Sequence, residues 1–100
     1  MMEKNQKIKD IVIYLQTKYG ANNILIQDHW ESSENAIGLI DNSGRYLAYI
    51  SIREDEDNYY LALEDPPIDN SFPYSPAGEF NNISLMKLEN LISKHLRLRN

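Results

Sequence analysis

Apolar residues recur along this chain with two different periods, and the changes of period divide it into a helix, a run of strands and a second helix. Near the N-terminus Ile8, Ile11, Val12, Leu15 and Tyr19 stand at offsets 0, 3, 4, 7 and 11. That is the buried stripe of an amphipathic helix, predicted over Glu3 to Tyr19, with Gly20 in the left-handed position that ends it. The β-branched run Ile11, Val12, Ile13 lowers the intrinsic helix propensity, so packing against a sheet has to supply most of the stability.

From Asn22 onward the apolar runs shorten and are separated by polar turn clusters, as an antiparallel meander requires. Four strands are predicted: Asn23 to His29, Ala36 to Ile40, Tyr46 to Arg53 and Tyr59 to Leu63. Asp41-Asn42-Ser43-Gly44 and Glu54-Asp55-Glu56-Asp57-Asn58 form the second and third turns. All four prolines then fall between Glu64 and Phe80, which predicts an ordered loop that packs down through Ile68, Phe72, Tyr74 and Phe80. The last stripe is Leu85, Leu88, Leu91, Ile92 and Leu96, a helix predicted over Leu85 to Leu98. Ser84 is its N-cap, and Ile83 with Leu88 forms a hydrophobic staple.

The fold class is therefore α+β: a four-stranded antiparallel meander flanked by an N-terminal and a C-terminal helix, in the order α-β-β-β-β-α. One domain spans residues 1–100, with both helices laid on one sheet face. Alternation fixes which strand residues share a face. Tyr46, Ala48, Ile50 and Ile52, with Tyr59, Leu61 and Leu63, are the more aliphatic parity that meets the helices. The opposite parity places Tyr49 and Tyr60 on the other face, beside the acidic turns and the proline loop. Tyrosine there suits an interface, because it joins a large rigid ring to a polar tip.

Charge sharpens this picture. The net charge is −5. Between Ala21 and Phe80 twelve carboxylates stand against Arg45 and Arg53, a net −10. The two flanks carry three carboxylates against eight lysines and arginines, a net +5. A central segment this acidic attracts a basic surface and repels nucleic acid and anionic lipid, so the expected partner is a protein, with neither nucleic acid nor membrane. The chain has no cysteine, which removes disulfides, thiol nucleophiles and thiolate metal sites. A polar N-terminus followed by no long apolar run places the expected protein in the cytoplasm, as a monomer or weak homodimer.

Motifs for catalysis are few. The Glu54–Asn58 run lacks the alternating ligands, central glycine and closing glutamate of an EF-hand loop. His29 and His95 stand far apart with no partner at metal-binding or triad spacing, and Gly20, Gly38, Gly44 and Gly78 do not cluster into a phosphate-binding loop. No enzyme activity, cofactor or metal is expected. A small hydrolase built on His29 and nearby acids is the enzyme alternative.

The stretches Gly44-Arg45-Tyr46-Leu47-Ala48-Tyr49-Ile50-Ser51 and Tyr59-Tyr60-Leu61-Ala62-Leu63-Glu64-Asp65-Pro66-Pro67, in a small acidic chain without cysteine, resemble the immunity proteins encoded beside bacterial contact-dependent and polymorphic toxins. The resemblance implies a protein that binds a cognate toxin domain, often a nuclease with a basic cleft, and blocks substrate access. Under that reading Glu54, Asp55, Glu56, Asp57, Glu64, Asp65 and Asp69 steer the partner, while Tyr49, Tyr60, Phe72 and Tyr74 form the apolar anchor. A phage-type inhibitor or nucleic-acid mimic would use the same acidic surface.

Overall fold

The computed structural model describes residues 4–27, 33–53, 57–66 and 75–99. Helix α1 (Gln6–Tyr19) leads into strands β1 (Ile24–Ile26), β2 (Ala36–Asp41), β3 (Leu47–Ile52), β4 (Tyr59–Asp65) and β5 (Ser75–Ile83), and helix α2 (Leu85–His95) closes the chain. The strands form one antiparallel sheet in sequence order, β1-β2-β3-β4-β5.

The two helices share one face of this sheet. Ile8, Ile11, Val12, Leu15 and Tyr19 of α1 and Leu88 and Ile92 of α2 join a single core with Ile24, Ile37, Leu39, Ala48, Ile50, Ile52, Tyr59, Leu61 and Leu63. Of the strand residues that alternation assigned to the helices, Tyr46 is half-buried against the core and the others are in it. Register aligns Ile37 with Ile50 and Ile50 with Leu61, so the centre of the core is a row of aliphatic side chains running across three strands.

The sheet has five strands, where four were predicted. The extra one is β5, in a stretch expected to be loop up to Phe80. Prolines prevent a central strand, but β5 is an edge, where Pro76 has no ladder hydrogen bond to lose on its outer side. Two irregularities let this polar, proline-bearing stretch pair. Tyr59 aligns with Ile83 and Leu61 with Phe80, so Tyr60 faces two residues, Asn81 and Asn82. Leu63 aligns with Gly78 and Glu64 with Pro76, leaving Ala77 as a second extra residue. Asn82 takes φ 58°, the left-handed backbone that a bulge of this kind needs and that asparagine tolerates better than most residues.

Element ends have local causes. Asn5 caps α1 by accepting from the Lys7 amide, and Ser84 caps α2 by accepting from the Lys87 amide. Helix α1 begins later than Glu3 because Asn5 is its cap. Gly20 ends it with φ 97°. Helix α2 ends at His95, short of the predicted Leu98. Arg97 adopts φ 57°, and the amides of Arg97 and Leu98 return to the carbonyls of Lys94 and Ser93, a Schellman closure.

Glu89 ties the helices together. Its carboxylate accepts from Tyr14 Oη at 2.7 Å, from Tyr19 Oη at 2.7 Å and from Lys18 Nζ at 2.6 Å, all on α1. These hydrogen bonds, led by Lys18, hold its pKa down at about 2. Further along α2, His95 Nε2 lies 2.8 Å from the Glu64 carbonyl, and its ring meets Tyr46 edge to face. Arg97 covers the same tyrosine ring and donates to its hydroxyl. Among the described residues no helix is long and apolar enough to cross a membrane.

Candidate functional site

Tyr49 on β3 and Tyr60 on β4 point away from the helices, as alternation requires. Register sets Tyr49 opposite Ala62 and Ser51 opposite Tyr60, which makes the two tyrosines diagonal neighbours on one face. Their rings meet edge to face with centroids 6.1 Å apart. This geometry directs the positive edge of one ring at the negative face of the other.

That face is only partly open. Ala36, Ile40 and Leu47 are buried although they lie outside the helix-packed core, and Tyr49 and Tyr60 are each half-buried. Burial raises the pKa of the Tyr60 hydroxyl, and the charge and hydrogen bond of Glu79 raise it further. Glu79 sits opposite Ala62, so a carboxylate stands on the tyrosine side of the sheet.

The bulge in β5 shapes what lies next to the pair. A groove of about 510 Å³ opens beside the tyrosines, with Tyr49, Tyr60, Arg53, Asn58, Asn81 and Asn82 in its wall. Asn58 Nδ2 donates to Asn82 Oδ1 at 2.8 Å, bridging the start of β4 to the bulge. A regular ladder would have paired Tyr60 with one residue, and the inserted residue brings two amide side chains to this wall instead.

Among the described residues the expected acids do not form one patch. Asp57 is exposed at the β3–β4 hairpin, whereas Glu64 and Asp65 lie at the far end of β4. An extended strand of this length separates the two ends by about 20 Å. Glu64 shares the tyrosine face by alternation, and Asp65 is exposed at the strand's end. Glu54, Asp55, Glu56, Asp69, Phe72 and Tyr74 lie outside the described residues, as does His29. The structure therefore brings together Tyr49 and Tyr60 and flanks them at two ends with Asp57 and Glu64.

Sequence reasoning missed Glu79, Asn58, Asn81 and Asn82. All but Asn58 belong to β5, whose strand character was hidden by Pro76 and the two bulges. The adjacent asparagines were the available signal, since asparagine favours left-handed backbone. Among the described residues no three histidine, aspartate or glutamate side chains gather into a metal-ligand set. In comparisons with known proteins, no family model, no curated protein and no solved structure matches the chain.

Proposed function

We propose that this chain is a protein-binding inhibitor of the immunity type, which acts in the cytoplasm without catalysing a reaction and neutralises a toxin domain by covering its basic surface. The observation that carries the reading is the edge-to-face Tyr49–Tyr60 pair on the helix-free side of a strongly acidic sheet, with Asp57 near one end and Glu64 near the other. An interface of this kind has a rigid aromatic centre that contributes contact area, and surrounding carboxylates that steer a cationic partner into place. The helical side has the opposite balance, and several of its cations are already engaged: Lys18 by Glu89, Lys7 over the Tyr59 ring and Arg97 over Tyr46. The acidic side is the one with charge to offer a partner.

The test is the association rate with the toxin-like product of the neighbouring gene, measured by stopped flow at low and high salt. Reversing the hairpin acids to lysine (Glu54→Lys, Asp55→Lys, Glu56→Lys, Asp57→Lys) should slow association by about tenfold at low salt and far less at high salt. An unchanged rate at low salt would remove the steering role from these acids.

A further inference from the structure

The groove beside the tyrosine pair has a wall chemistry that the acids do not explain. Asn58 and Asn82 spend one donor and one acceptor on each other, which leaves Asn58 Oδ1 as an acceptor and Asn82 Nδ2 as a donor. An acceptor and a donor on one wall are the complement of a single residue in extended backbone, whose own N–H and C=O point to the same side. Asn81 adds a further amide from the same bulge, and Tyr49 and Tyr60 supply flat apolar surface next to it. The backbone is held for this arrangement: Asn82 keeps φ 58°, a conformation that costs a residue with a side chain and that persists here because the bulge requires it.

We infer that this groove receives an extended main-chain segment of a partner protein, recognised through the N–H and C=O of one of its residues by the Asn58–Asn82 pair and packed against Tyr49 and Tyr60. The occupant is a loop of a protein in place of a small charged ligand, because the lining is dominated by neutral groups that both donate and accept. This deepens, and rests on, the protein-binding reading above: carboxylates govern how fast the partner arrives, and the groove governs how long it stays.

The experiment pans a phage-displayed library of short linear peptides against the full chain, then titrates the recovered peptide into isotope-labelled protein and follows backbone amide shifts. Two variants accompany the wild type, Asn58→Ala and Asn82→Gly; the glycine removes the amide while preserving the left-handed backbone, so the bulge is kept. Shifts concentrated at Tyr49, Tyr60, Asn81 and Asn82, with affinity reduced about tenfold in either variant, are expected. Failure to enrich any peptide, shifts centred elsewhere, or unchanged affinity in both variants would overturn the inference. So would occupation of the same groove by a disaccharide such as maltose in preference to peptide. None of these outcomes alters the charge-reversal measurement on association rate, so failure of the groove assignment is distinguishable from failure of the inhibitor reading.

Discussion

Glu89 holds three hydrogen bonds from the opposite helix, and its side chain is 15% exposed. Because its folded pKa of about 2 lies below the usual 4.5, its contribution to stability is fully present above pH 4.5 and fades as pH falls toward 2. Solvent access along the helix seam limits that contribution to about 1–2 kcal/mol. Glu89→Gln should therefore lower the unfolding free energy near neutral pH, with the gap from wild type closing as the acid limb is descended; urea melts at several pH values check both. Asp41 works locally in the same way. Burial disfavours its charge, but hydrogen bonds from the Ser43 hydroxyl and from the amides of Tyr46, Arg45 and Ser43 outweigh burial and lower its pKa. These bonds close the turn that Gly44 completes with φ 75°. Asp41→Ala should cost about 1–2 kcal/mol by chemical denaturation, and Asp41→Asn less, since an amide oxygen still accepts from the backbone.

At the scale of elements, both helices and the first four strands were legible from period alone. Offsets of three and four placed every buried α1 residue, and parity placed Ala48, Ile50, Ile52, Tyr59, Leu61 and Leu63 against the helices. The strand β5 was not legible. Its burial does not alternate, because two bulges shift its side chains between faces, and only Phe80 and Ile83 reach the core. The same bulge hid the groove, whose asparagines read in sequence as loop residues. Boundaries missed for smaller reasons: β1 spans Ile24–Ile26 within the predicted Asn23 to His29, whose last two residues lie outside the described ones, and the Schellman closure shortens α2. The core makes a direct test of the common helix-facing row. Ile50 is fully buried between Ile37 and Leu61. Ile50→Ala should lower stability by about 2–5 kcal/mol, through lost transfer energy and the cavity left behind, measured as a shift of the urea midpoint at constant slope.

Across the whole molecule, charge follows architecture. The helices and flanking residues carry the net positive charge of the sequence, and the sheet with its turns carries the net negative charge. Among the described strand residues, Glu64 and Glu79 share the face of Tyr49 and Tyr60, opposite the helices. The composition announced an acidic central segment; it did not announce that Asp57 and Glu64 stand at opposite ends of a strand with the tyrosines between them. This layout makes the proposed interface broad, with charge at its margins and aromatic area at its centre, the arrangement in which rim charges act chiefly on the association rate.

The most direct measurement of the proposed inhibitor role is affinity capture from native lysate at low and high salt, with bound proteins identified by mass spectrometry. The tagged wild type is run beside a variant with Glu54→Gln, Asp55→Asn, Glu56→Gln, Asp57→Asn, Glu64→Gln and Asp65→Asn. One basic toxin-like domain, recovered near one-to-one by the wild type at low salt, reduced at high salt and lost from the variant, is the expected result. Equal recovery of the same proteins by both, or no partner at either salt, would contradict it.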